Sequence, residues 1–209
     1  MKLYIIRHGE TDWNKAWRLQ GQTDTDLNEY GRELARITCE GIKDLKIDRV
    51  FSSPLRRAVE TAELVTAGRG LTIETDERLK EVGFGINEGK LPEEREPGCK
   101  LFFTQPAKYV PSEGGETLNE LVRRTGEFLD EVIRPMSLTD EMRDGAVLIS
   151  GHGAMNKALM LNLKGHGLEN FWDGEVQHNC SINTYEIVGD KCIVIKEGEV
   201  FYDISERRP

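Results

Sequence analysis

The chain has little cysteine, no long apolar run and a shortage of positive charge. Its four cysteines, among 209 residues, stand at 39, 99, 180 and 192. None is spaced as in a zinc knuckle or a redox pair, so they read as reduced, mostly buried thiols rather than a disulfide scaffold. No apolar stretch approaches bilayer-spanning length, and the first residues lack the basic start and long apolar core of a signal peptide. The expectation is a cytoplasmic protein with no membrane partner. Lysine and arginine total 28 against 37 acidic residues, a formal net charge of -9. That balance argues against nucleic acid or acidic lipid as partners, because both select basic patches. It also gives no long-range pull on an anionic small molecule. With screening over about 8 Å at physiological salt, an anion site here must rest on a local cluster of cations. Internal repeats and low-complexity segments are absent as well.

What is present is ordinary for a soluble enzyme: 38% hydrophobic and 31% charged residues, in a length suited to one domain (1–209) with a sizeable core. Strand candidates are Leu3–Ile6, Arg49–Ser52, Leu71–Glu74, Ala146–Ser150, Ser181–Val188 and Cys192–Lys196, with helical patterns between them. Asn28 can cap a helix carrying Leu34, Ile37, Ile42 and Leu45 on one face, and Thr117 with Glu120 forms a capping box before a second amphipathic run. The alternation predicts a three-layer α/β/α sandwich on a mostly parallel sheet. Gly189-Asp190 between the last two strands adds an antiparallel edge hairpin.

Chemistry concentrates where strands end. Arg7-His8-Gly9-Glu10 follows the apolar run Leu3–Ile6, and Gly151-His152-Gly153 follows Ala146–Ser150. Carboxyl ends of parallel strands open into the crevice where α/β sheets bind ligands, so neighbouring strands would aim both imidazoles into one pocket. Residues 7 to 10 alone are equally compatible with a solvated turn. A third strand end runs into Ser53-Pro54-Leu55-Arg56-Arg57, where Ser53 suits an N-cap and Pro54 the first helical position. Arginines in a first helical turn oppose the helix dipole. They suggest an anion held there, or else two solvated side chains.

Taken in order, these segments resemble the histidine phosphatase superfamily, in its phosphoglycerate mutase-like branch. The resemblance is carried by Arg7-His8-Gly9-Glu10-Thr11, Trp13-Asn14, Arg18, Gln20-Gly21, Asp24–Leu27, Ser53–Ala62, Leu79-Lys80-Glu81 with Phe84-Gly85 and Glu88-Gly89, Gly115-Glu116-Thr117 and Gly151-His152-Gly153. It implies hydrolysis of phosphate monoesters through a phosphohistidine on His8, with no cofactor and no metal. Glu81 is the implied proton donor. Arg7, Arg57 and His152 are the implied catalytic and phosphate-holding groups, with Asn14, Gln20 and Gly21 beside them. The segment Val82–Gly89 is similar to the phosphatase members, which lack the longer arginine-bearing insertion of the mutases. Mutase activity is the alternative, and a non-catalytic phosphate-binding protein a more distant one. The implied substrate is a small phosphorylated metabolite, and the chain would be a monomer or homodimer.

Two features stand outside that pattern. Residues 86–116 hold Pro92, Pro97, Pro106 and Pro111 with an apolar group at Leu101, Phe102, Phe103 and Tyr109. They read as a cap insertion over the site or as a surface excursion with its own small cluster. His166, His178, Glu169 and Asp173 could be drawn with His152 as metal ligands, but their spacing matches no standard pattern. Glu81 by composition alone could equally form a salt bridge to Lys80, Arg78 or Arg57.

Overall fold

A computed structural model describes residues 1–175 and 177–204. The chain runs β1 (Lys2–Arg7), α1 (Asp12–Lys15), α2 (Glu29–Gly41), β2 (Arg49–Ser52), α3 (Arg56–Val65), β3 (Ile73–Thr75), α4 (Cys99–Thr104), α5 (Leu118–Phe128), α6 (Arg134–Ser137), β4 (Ala146–Gly151), α7 (Gly153–Lys164), β5 (Ile182–Val188) and β6 (Lys191–Glu199). Six strands form one sheet in the order β3-β2-β4-β1-β5-β6. The first four are parallel, while β5 runs antiparallel to β1 and to β6. Among the described residues no helix is long and apolar enough to cross a membrane.

Strand periodicity explains the layers. Side chains alternate across a strand, so Leu3 and Ile5 of β1 pack with Leu121 and Phe128 of α5 and Met155 and Leu159 of α7. Tyr4 and Ile6 face the other way, onto Leu34 and Ala35 of α2 and Ala62 and Val65 of α3. The result is helices on both faces of a mostly parallel sheet, the predicted sandwich. Local signals set the helix starts: Asn28 Oδ1 accepts from Gly31 N at 2.8 Å, and Thr117 and Glu120 make the reciprocal capping box. The edge hairpin turns at Gly189 and Asp190, and β6 runs further than predicted because it follows β5 past two register shifts.

One local expectation fails. Helix α3 starts at Arg56 with Leu55 at its N-cap, two residues beyond the predicted start. Ser53 stays with the sheet through its N–H, which donates to Ser150 O at 3.0 Å. Capping comes from a distant residue instead: Asp24 Oδ1 accepts from Arg56 N at 2.8 Å. Sequence proximity could not reveal that partner.

Residues 86–116 are short turns plus α4, and Phe102 is their buried anchor. Its ring lies 4.8 Å from Phe84, 5.1 Å from Tyr109 and 5.3 Å from Trp172, centroid to centroid, each edge-on.

Candidate active site

Arg7 stands opposite Gly151 in the parallel β1–β4 pair. The next residue of each strand therefore leaves the sheet at the same level, and the His8 and His152 rings lie 5.2 Å apart. Strand β2, on the far side of β4, delivers α3 and Arg57 to the same edge. Three separate strand ends thus converge.

His8 is buried, and its Nδ1 lies 2.7 Å from Gly9 O. A carbonyl can only accept, so the proton sits on Nδ1 and Nε2 keeps its lone pair. Burial, followed by the charges of Arg57 and Arg7, pushes the imidazole pKa well below 6.5. The ring is neutral at physiological pH. Its backbone is held from two sides, with Gly9 N donating to Thr61 Oγ1 at 3.0 Å and Asn179 Nδ2 donating to His8 O at 2.9 Å. The turn that presents Asn179 contains buried Cys180 at a φ of 56°. A left-handed non-glycine residue costs about 1 to 2 kcal/mol, offset here by a bond from Cys180 N to Arg7 O at 2.9 Å.

Arg57 is wholly buried. Its Nη1 donates to Thr23 O at 2.8 Å and its Nη2 to Gly21 O at 2.7 Å, while Nε has no partner among the described residues. Desolvation pulls its pKa down to about 10, so the charge remains at neutral pH. The two carbonyls are presented by a loop tied to Glu88, whose carboxylate accepts from Gln22 N at 2.9 Å, Thr23 N at 2.8 Å, Thr23 Oγ1 at 2.5 Å and Phe84 N at 3.0 Å. Gly21 lies at a φ of 56°, and a Cβ there would meet Glu88 Oε1 at 2.0 Å. Only glycine fits that approach. Arg56, by contrast, turns away to Asp24 and Asp26, so of the two first-turn arginines only Arg57 serves the pocket.

His152 is the N-cap of α7 and fully buried, and neither ring nitrogen has a hydrogen-bond partner among the described residues. Burial, then Arg57 and His8, pushes its pKa well below 6.5. Two uncommitted ring nitrogens at such depth suit an anion in the adjoining space.

Glu81 sits over the first turn of α7. Its Oε1 accepts from Met155 N at 2.9 Å and Val82 N at 3.0 Å, and its Oε2 from Ala154 N at 3.2 Å. The salt bridge that composition would favour is not made among the described residues. Lys80 pairs with Glu77, Arg78 with Asp76 and Glu131, and Arg57 with carbonyls. The Glu81 backbone oxygen receives Arg124 Nη2 at 3.0 Å and Gln22 Nε2 at 3.1 Å, and Arg124 is itself paired with Glu116 at 2.6 Å.

These groups border a cavity of about 350 Å³. Arg7, His8, Asn14, Gln20, Gly21, Arg57 and Glu81 line it, and buried His152 packs against His8 without lining it. Asn14 Oδ1 is taken by the α1 capping box with Thr11, and Gln20 Oε1 by Thr11 and Thr25 hydroxyls at 2.9 and 2.6 Å. What each amide offers the cavity is its NH₂. Arg7 Nη1 donates to Gln177 O at 2.5 Å. The outer wall is Phe84, Phe102, Phe103 and Trp172.

Sequence reasoning did not assign Thr61, Glu88, Asn179 or the buried Lys157, whose Nζ donates to Asp173 O at 2.7 Å and Glu175 O at 3.0 Å. Thr61 and Glu88 lie within segments that carry the resemblance, where their positions could have flagged them. Lys157 had no such signal. Among the described residues no three His, Cys, Asp or Glu side chains group as metal ligands would. His178 is not part of the cavity wall, and His166 borders a separate small depression beside Lys164.

Comparison with known proteins identifies a family. Residues 3–199 match the model of the histidine phosphatase superfamily (branch 1). The Hydrogenobacter thermophilus protein named "Putative phosphoserine phosphatase 2" is 30% identical over 198 residues, 93% of each chain. "Probable phosphoglycerate mutase GpmB" of Yersinia pestis is 32% identical over 159 residues, 71% of this chain and 73% of that one. The solved structure of mycobacterial glucosyl-3-phosphoglycerate phosphatase Rv2419c with VO3 superposes at a TM-score of 0.82 and 28% identity, covering 94% of this chain and 98% of the other. With a matched model spanning nearly the whole length, and with two buried histidines and an arginine meeting where three parallel strands end, the chain belongs to the histidine phosphatase superfamily, branch 1.

Proposed function

We propose that this protein hydrolyses phosphate monoesters of small metabolites by two displacements at His8. The observation that carries the reading is the bond from His8 Nδ1 to Gly9 O, which leaves a neutral ring with Nε2 free to attack phosphorus. Attack forms an Nε2–P bond and breaks the P–O bond to the alcohol. Water then breaks the Nε2–P bond and releases inorganic phosphate.

Charge spreads over the non-bridging oxygens of the transferring group. Arg7, Arg57 and His152, aided by the amides of Asn14 and Gln20, are the groups we assign to hold those oxygens, with Gly21 keeping Arg57 in place. One unit-charge pair at about 4 Å is worth about 4 kcal/mol at an effective dielectric near 20, before desolvation is subtracted. Several converging donors are therefore needed. Glu81 is assigned to protonate the departing alkoxide and then to accept a proton from the attacking water. Residues 86–116, within a single domain of residues 1–209, are assigned as the cap that selects the alcohol. No metal or other cofactor enters this scheme. A cytoplasmic setting belongs to the same proposal, in keeping with cysteines that form no disulfide among the described residues.

The GpmB likeness supports a second reading, transfer of the phosphoryl group back to a phosphoglycerate instead of to water. Val82–Gly89 favours the hydrolase: it passes directly from Glu81 to Glu88 without a longer insertion. The test is phosphate release from alkyl and aryl monoesters by wild type and His8→Ala in chelator, with phosphoglycerate isomerisation followed in parallel. Hydrolysis lost in His8→Ala, with an acid-labile phosphorylated wild type, is the expected result. Isomerised phosphoglycerate with little free phosphate would make the protein a mutase, and turnover in His8→Ala would remove the nucleophile assignment.

A further inference from the structure

The inner and outer halves of the cavity differ in chemistry. Inside are the groups assigned to phosphate. Outside, Phe84 and Phe102 are buried, while Phe103 is 46% exposed and Trp172 half-buried. The Phe103 and Trp172 rings lie 5.9 Å apart at an interplanar angle of 20°, an offset stack bordering the cavity. A half-exposed phenylalanine on a cavity wall is apolar surface that water hydrates poorly and a ligand can cover.

The polar groups of the outer half are already engaged by the protein. Trp172 Nε1 donates to Phe102 O at 2.6 Å, and Lys157 Nζ donates to two backbone carbonyls. Arg18 Nη1 donates to Gly89 O at 2.5 Å and lies 3.9 Å from Glu94. Glu175, an exposed residue, borders the same half. The largest continuous surface this half offers an alcohol is therefore the aromatic wall, while Arg18 and Lys157 are drawn onto backbone carbonyls.

From this division we infer that the favoured substrate is the phosphate monoester of an alcohol carrying a flat apolar body, an aromatic or fused ring, seated against Phe103 and Trp172. The inference rests on the hydrolase reading and narrows it. It separates this chain from relatives named for phosphoserine and phosphoglycerate.

The test compares kcat/KM for 2-(1-naphthyl)ethyl phosphate, glycerol 1-phosphate and 3-phosphoglycerate. All three release alkoxides, so leaving-group acidity does not decide the ranking. Covering roughly 100 Å² of ring surface at about 25 cal/mol per Å² gives a preference of several tens of fold for the naphthyl substrate. Phe103→Ala, at a half-exposed position, should reduce the naphthyl-to-glycerol ratio about tenfold. In parallel, 2-(1-naphthyl)ethylphosphonate and 3-phosphoglycerate are titrated onto wild type and Phe103→Ala. Phosphate release without a naphthyl preference, or with a ratio unmoved by Phe103→Ala, overturns the inference and leaves the hydrolase standing. No release from any substrate, but tight phosphonate binding weakened by Phe103→Ala, overturns the hydrolase reading and keeps the aromatic subsite. Equal or absent binding of the two titrants, with no release, overturns both.

Discussion

Glu88 touches no substrate-facing atom of Arg57, yet its loss should disable that arginine. In Glu88→Gln the carboxylate's two equivalent acceptors become one acceptor and one NH₂. One oxygen now receives Thr23 N and Thr23 Oγ1, and the other Gln22 N and Phe84 N. Whichever side the new NH₂ takes, two donors face a donor, and only the Thr23 hydroxyl can turn to accept. Bonds to a charged acceptor contribute about 1.5 to 3 kcal/mol each, and partial exposure places these at the low end, so the net cost is about 2 to 3 kcal/mol. For a domain of this size the melting temperature should fall by roughly 5 to 10 °C. The loop that relaxes also carries Gly21 O and Thr23 O, the two acceptors that aim Arg57. A displacement near 1 Å costs about 100-fold in rate, so kcat/KM should drop by about 10- to 100-fold. Calorimetry and steady-state kinetics on one preparation read both effects. A variant with wild-type melting and wild-type kcat/KM would refute the claim that this carboxylate organises the loop, and a variant that melts lower with full activity would refute the link to Arg57.

Further outcomes follow from the same geometry. Glu81→Gln keeps one acceptor at the start of α7 but cannot deliver a proton, so turnover of alkyl phosphates should fall at least 100-fold and of aryl phosphates less than tenfold; equal losses would remove the proton-donor role. His8 and His152 are held neutral with pKa values well below 6.5, so the unfolded chain binds more protons just below that value. Stability present at neutral pH is then lost as pH falls from about 6.5, by up to about 1.4 kcal/mol per unit for each imidazole. Urea unfolding from pH 7 to 5 should show a shallower slope in His152→Gln than in wild type, and identical slopes would contradict the burial argument. Thr61→Val strands the N–H of Gly9 and should cost about 1 to 3 kcal/mol in urea unfolding, with a lower kcat from a shifted His8; an unchanged midpoint would show that the bond is dispensable.

The sequence determined what short-range physics controls. Continuous apolar runs at Leu3–Ile6 and Ala146–Ser150 read as buried strands, and side chains such as Asn28 and Thr117 cap helices only a few residues away. Residues at strand ends could be named as a site because parallel strands place their carboxyl ends together. Tertiary structure decided the rest, through contacts between residues far apart in the chain. Asp24, rather than the neighbouring Ser53, caps α3 and draws Arg56 out of the pocket. Glu88 orders a loop more than sixty residues earlier, and the first turn of α7 receives Glu81 in place of the salt bridge that composition favours. The histidines owe their neutral state to depth, and the aromatic outer wall exists only because α4 and Trp172 pack across the cavity mouth. Burial and desolvation belong to the folded structure rather than to any window of sequence, and these properties set the charge of His8 and the shape of the cavity beside it.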